Sequence, residues 1–164
     1  MKRLIIVRHA KAAKAGPRGE DIARPLAPRG EEDAVEMGRR LARCKVHPDA
    51  IVTSPAERAL ATARLIAREL DFPWDEIRTE KQAYLADAGT LMELVREMDE
   101  RAESAMIVGH NPGATDLAQA LVRGFVQDLP TGAVVMVDLP ADTWAGVRRG
   151  GGTLRSYDYP KNIA

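Results

Sequence analysis

Cysteine is almost absent from this chain. Cys44 stands alone among 164 residues, so an internal disulfide is excluded, and with no hydrophobic leader the sequence reads as cytoplasmic. Cys44 itself is expected in the core as a small apolar side chain. A dominant charge is missing too: 24 Lys and Arg balance 24 Asp and Glu. No global field then draws the protein to nucleic acid or to an anionic membrane, and any anion recognition must be local. No apolar run approaches the roughly 18 residues of a bilayer span, and Met1-Lys2-Arg3 leads into too short an apolar stretch for a signal peptide. A soluble protein with no membrane partner is expected. Metal-ligand spacing is lacking as well. There is no His-x-x-x-His or paired-cysteine pattern, and neither His9 nor His110 has a carboxylate or thiol at ligand spacing. Neither a metal nor a cofactor is expected. Without repeats or low-complexity tracts, the chain reads as one domain over residues 1–164, long enough to bury most of its apolar surface unaided.

What is present is an alternation of strand-like and helix-like segments. Leu4-Ile5-Ile6-Val7 is a short buried strand, followed by a connector from Lys11 to Ala27 that shows neither period and is long enough to be a lid or binding loop. Ala34, Met37, Gly38 and Leu41 share one face of a helix over Pro28 to Arg43. Asp49 to Thr53 is the next strand, running into Ser54-Pro55-Ala56-Glu57, which has the form of a capping box with proline at the first helical position. That second helix carries Ala59, Ala63, Ile66, Ala67 and Leu70 inward and ends at Phe72-Pro73. Ile77-Arg78-Thr79 reads as a brief edge strand. A second capping box, Thr90-Leu91-Met92-Glu93, opens a helix with Leu91, Leu94, Val95 and Met98 on its stripe. Ala105 to Val108 is a strand, and Asn111-Pro112 repeats the cap-plus-proline arrangement before a helix facing Ala114, Leu117, Ala118, Leu121 and Val122 inward. Ala133 to Leu139 and Thr153 to Tyr157 complete the strands. The alternation implies an α/β fold with a largely parallel sheet covered by helices on both faces.

In such sheets ligands bind in the crevice beyond the carboxyl ends of the strands. Three strand ends deliver chemistry there: Arg8-His9-Ala10 after the first, Arg58 in the early turns after Ser54, and Gly109-His110-Asn111-Pro112 after the fourth. Helix N-termini with free N–H groups adjoin two of them. Two guanidinium groups and a protonated His110 would suit a phosphoryl group, with the other histidine free to attack. His47, in a helix-to-strand connector, has no such company and reads as structural. Trp74 and Trp144 read as packing residues. Lys11, Lys14, Arg18 and Arg24 are either a solvated loop or a docking surface for an anionic substrate.

Val7-Arg8-His9-Ala10, Arg24-Pro25-Leu26 with Arg29-Gly30, Thr53-Ser54-Pro55 with Arg58 and Thr62-Ala63, and Val108-Gly109-His110-Asn111-Pro112 resemble the histidine phosphatase superfamily in order and spacing. Within it the chain is similar to the short bacterial SixA-type phosphohistidine phosphatases over nearly its whole length. The resemblance implies a three-layer α/β/α sandwich around a mostly parallel sheet, of the phosphoglycerate mutase-like kind. It also implies His9 as a nucleophile that carries the phosphoryl group covalently, with Arg8, Arg58 and His110 as the phosphate pocket. His9 must then be neutral while His110 stays protonated, so the two imidazoles should titrate apart. Ala10 stands where many relatives have glycine. The segment after Arg58 is short where mutase-like members place a glutamate proton donor, leaving Glu80 and Asp87 as the available acids.

A site without a strong acid suits a good leaving group. Imidazole, with a pKa of roughly 6.5, departs more readily than an alkoxide. The expected reaction is therefore phosphohistidine hydrolysis on a phosphotransfer or phosphorelay protein, with the crevice open to a macromolecular partner. A small-molecule phosphomonoesterase using Glu80 or Asp87, and a phosphate-recognition module without turnover, remain the alternatives.

Overall fold

An unbroken apolar run such as Leu4-Ile5-Ile6-Val7 fits a strand with both faces covered, and the two-residue period decides which side chain goes to which face. In the computed structural model, which describes residues 1–163, this run lies at the centre of a six-stranded sheet. The strands are β1 (Lys2–Arg8), β2 (Ala50–Thr53), β3 (Arg78–Thr79), β4 (Ser104–Gly109), β5 (Val134–Leu139) and β6 (Thr153–Asp158). Their order is β3-β2-β4-β1-β5-β6, with β1 to β4 mutually parallel and β5 antiparallel to both neighbours. The helices are α1 (Pro28–Arg43), α2 (Glu57–Glu69), α3 (Ala88–Arg96) and α4 (Gly113–Leu121). None among the described residues is long and apolar enough to cross a membrane.

Alternation along the strands builds two cores. Leu4, Ile6, Ala105, Ile107, Val135 and Val137 face α3 and α4, meeting Leu91, Leu94, Val95, Leu117 and Leu121. Ile5, Val7, Met106, Val108, Val134 and Met136 face α1 and α2, meeting Met37, Leu41, Ala59, Ala63 and Ile66. The mostly parallel, three-layer arrangement is thus the one the chain adopts. Truncating one of the fully buried aliphatics to alanine would cost about 2–5 kcal/mol.

Several local expectations are corrected. α2 starts at Glu57 with Ala56 as its cap, because Ser54 is used elsewhere: its Oγ accepts from the Ala56 amide at 3.1 Å and contacts His110. α3 starts before the Thr90 box, capped by Asp87, whose Oδ1 accepts from the Thr90 amide at 2.8 Å. α4 begins at Gly113 after a cis Asn111-Pro112 bond, and Asn111 Oδ1 accepts from the Thr115 amide and hydroxyl. Cys44 is exposed at the C-cap of α1. Trp74 is 67% exposed beneath the Arg64 guanidinium, since the strand it precedes is an exposed two-residue edge. Trp144 is fully buried, its indole N–H donating to the Ala102 carbonyl.

Candidate active site

β4 lies between β1 and β2, so three segments far apart in sequence end side by side. The ladder runs on past the strand ends, the His9 amide donating to Gly109 at 3.0 Å and the Ser54 amide to Val108 at 3.1 Å. That continuation ties Arg8-His9, Ser54 and Gly109-His110 into one floor. The Arg8 amide donates to the Ala133 carbonyl on the other flank. From Arg8 itself, Nη1 donates to the Leu129 carbonyl at 2.8 Å, while Nε is buried without a partner. One edge of the guanidinium is therefore anchored and the Nε edge is uncommitted. Burial lowers the Arg8 pKa, partly offset by Asp128.

His9 places Nδ1 2.7 Å from the Ala10 carbonyl. A carbonyl only accepts, so Nδ1 carries the proton and Nε2 keeps its lone pair. Burial, opposed by that same carbonyl and reinforced by Arg58, Arg8 and Arg24, pushes the His9 pKa down to about 4. His110 lies 5.1 Å away, ring centre to ring centre. Its Nδ1 faces Arg58 Nη2 at 3.4 Å and its Nε2 lies 2.8 Å from Ser54 Oγ. A guanidinium only donates, so Nδ1 accepts and Nε2–H points at Ser54.

The expectation that His110 is protonated while His9 is neutral does not match this arrangement. The His110 pKa is pushed down to about 3, by burial first and then by His9 and Arg58. Both imidazoles are neutral at pH 7 because neither is hydrogen-bonded to a carboxylate, and Asp21 only partly offsets the dehydration of His110 among cations.

Arg58 sits in the first turn of α2 and is only 3% exposed. Thr62 Oγ1 donates to its carbonyl at 2.8 Å and accepts from the Ala10 amide at 3.0 Å, tying α2 to the loop after β1. The guanidinium is met from the long connector: Nη1 donates to the Asp21 carbonyl at 2.7 Å and Nη2 to Asp21 Oδ2 at 3.0 Å. Arg24 and the Tyr84 hydroxyl also donate to the Asp21 carboxylate. Tyr84 in turn stands edge-on to His110 at 5.5 Å. Tyr84 and Arg24 hold the Asp21 carboxyl well below the usual range, and the bond to Asp21 raises the Tyr84 phenol.

Sequence reasoning missed Asp21 and Tyr84. The Asp21-x-x-Arg24 spacing is the one local signal that an acid lies among the connector's cations. Of those cations, Lys11, Lys14 and Arg18 are exposed, whereas Arg24 is half-buried and bonded to Ala13 and Asp21. His47 is exposed in its connector, as a residue outside the site.

The two carboxylates named as acids are engaged elsewhere. Glu80 accepts from Arg78 at 2.7 Å, and Asp87, exposed, caps α3, whose Thr90 amide lowers its pKa. A third group of residues supports Arg8. Asn111 Nδ2 donates to the Leu129 carbonyl at 2.9 Å, and Thr115 Oγ1 accepts from the Leu129 amide at 3.0 Å. The Gly132 amide meets the carbonyls of Arg8 and His9.

The arrangement is a buried pair of neutral imidazoles between two guanidinium groups, suited to a compact anion and to attack by His9 Nε2. Comparison with known proteins bears on what family uses it. The model of the histidine phosphatase superfamily, branch 1, matches residues 4–107. An uncharacterized Mycobacterium tuberculosis protein is 30% identical over 166 residues, covering 94% of this chain and 100% of that one. The structure of the protein histidine phosphatase SixA complexed with tungstate superposes with a TM-score of 0.84 at 24% identity, covering 99% of both chains. A mycobacterial glucosyl-3-phosphoglycerate phosphatase superposes at 0.69 with 16% identity, over 94% of this chain and 97% of that one. With the family model spanning β1 to β4 and the paired arginines and histidines gathered at their ends, the chain belongs to the histidine phosphatase superfamily.

Proposed function

We propose that the protein is a phosphohistidine phosphatase acting on a phosphorylated histidine of a carrier protein. The observation that carries this reading is the His9 ring, fixed through Nδ1–H to Ala10 with Nε2 unprotonated beside Arg8, Arg58 and His110. In the first step His9 Nε2 forms a bond to phosphorus as the P–N bond of the substrate breaks, and the substrate's ring, protonated on its other nitrogen, leaves as neutral imidazole. Water then attacks phosphorus, the bond to His9 breaks, inorganic phosphate departs and His9 is restored. The uncommitted Nε edge of Arg8 and the terminal nitrogens of Arg58 would hold the phosphoryl oxygens by fork-like bonds. Charge on the bound phosphoryl raises both imidazole pKa values, which lets His110 donate to it once it is present.

The carboxylates support this reading over an ester substrate. With Glu80 paired to Arg78 and Asp87 capping α3, both carboxylates are committed to other partners and neither is held for an alkoxide leaving group. A leaving imidazole makes the smaller demand. The second reading, a small-molecule phosphomonoesterase, has the support that the same fold serves a glucosyl-3-phosphoglycerate phosphatase. Incubation with a carrier protein bearing 32P-phosphohistidine, quenched in alkali, should label the wild type transiently and leave His9→Asn unlabelled. Tight binding of the carrier with no label and no released phosphate would establish recognition without turnover. Faster turnover of sugar phosphates than of the carrier would establish the phosphomonoesterase.

A further inference from the structure

Arg58 is a buried cation whose one ion-pair partner among the described residues is Asp21. The pairing is unequal: the Arg58 side chain is 4% exposed, the Asp21 side chain 45%. Asp21 lies on a single turn, Asp21–Ala23, that buries none of its residues. The connector bearing it is closed on itself at its base by the Ala12 to Leu26 bridge. The carboxylate thus reaches Arg58 from the solvent side, and the Tyr84 hydroxyl and Arg24 hold it there.

Asp21 takes one N–H from each terminal nitrogen of Arg58, on its carbonyl and on its carboxylate, while Nη2 also faces His110 Nδ1. A phosphate that takes those two Asp21-facing N–H groups has to displace Asp21. We propose that Asp21 is a built-in competitor of the phosphoryl group, holding Arg58 when no anion is bound and driving product phosphate off afterwards. This rests on reading the crevice as a phosphoryl site. Two effects act in the same direction: the carboxylate occupies donors that phosphate needs, and its charge repels a dianion placed beside Arg58. Because the carboxylate side of the pair stays partly hydrated, a phosphate dianion can exchange with it at Arg58.

The opposite role, Asp21 as a buttress that aims Arg58 at phosphate, predicts the opposite sign. Binding of inorganic phosphate to wild type, Asp21→Asn, Asp21→Ala and Tyr84→Phe, followed by calorimetry, separates the two. The Asp21 variants are expected to bind phosphate about threefold tighter or more, the scale of a partly exposed charge pair, with a lower Ki for phosphate in turnover. Tyr84→Phe frees the carboxylate without removing it and should shift Kd the same way by less. An equal or weaker phosphate affinity in folded Asp21→Asn, with an unchanged thermal midpoint, overturns the proposal. If the Asp21 variants do not fold, Tyr84→Phe decides: a lower Kd supports competition, and an equal or higher one overturns it. Phosphate binding to the wild type without tightening in any variant defeats the competitor alone. No binding to any of the four proteins defeats the phosphoryl-site reading together with it.

Discussion

Arg8 illustrates how a single side chain acquires a direction. Its guanidinium would swing freely from the end of β1, but the Leu129 carbonyl anchors Nη1, and Asn111 Nδ2 converges on the same carbonyl. Asn111 is itself oriented, because its Oδ1 accepts from Thr115 and only Nδ2 is left to reach Leu129. Replacing Asn111 by alanine removes a hydrogen bond of about 1 kcal/mol and loosens the anchor of Arg8. Initial rates on the phosphorylated carrier should show KM rising about fivefold with a smaller change in kcat, the pattern of lost ground-state binding. An unchanged KM would mean that Leu129 holds Arg8 without help. The dipeptide Arg8-His9 and the pair Gly109-His110 were readable as chemistry from their position after apolar runs. Asn111 was readable only as a cap, since its amide is turned toward Leu129 by a loop 18 residues away.

At the scale of elements, the site depends on helix starts that lie very close to the neighbouring chain. A Cβ on Gly113, the first residue of α4, would run into the carbonyl of Ala86, and one on Gly30 would run into the carbonyl of Lys11. In both places a helix start is pressed against backbone that leads directly to a site residue, Tyr84 in one case and His9 in the other. Gly113→Ala forces those backbones apart, and overpacking of this kind costs about 1–3 kcal/mol. A urea titration should show a lower midpoint with an unaltered m-value, together with reduced activity. A midpoint equal to that of the wild type would show that the segment at Ala86 gives way freely. Helical periodicity placed all four helices but misplaced three of their starts. Ser54, Thr90 and Asn111 each have the form of a cap, yet two of the three are recruited by tertiary partners, Ser54 by His110 and Asn111 by Leu129, while Asp87 takes the cap of α3.

For the whole molecule, two buried neutral histidines make stability depend on pH. Their pKa values fall from the ordinary imidazole value of 6.5 to about 4 for His9 and about 3 for His110. Between pH 6.5 and about 4 the unfolded chain therefore binds more protons than the folded one, and stability falls as pH falls. The loss is expected to be on the order of 3 kcal/mol for each histidine by the lower end of that window. Denaturant titrations at pH 7 and pH 4.5 on wild type and His110→Asn measure it, the variant losing less. Equal losses would show that His110 is not dehydrated in the fold. The apolar strands with their alternating faces, the helical stripes and the residues placed after each strand are local properties, and they determined the layered α/β fold and the four residues Arg8, His9, Arg58 and His110. What the tertiary structure alone decided is their electrostatics: burial among cations makes both imidazoles neutral, and a carboxylate from a distant connector sits on Arg58. Dehydration and pairing depend on which surfaces meet, and that meeting is set by a strand order in which β4 comes between β1 and β2.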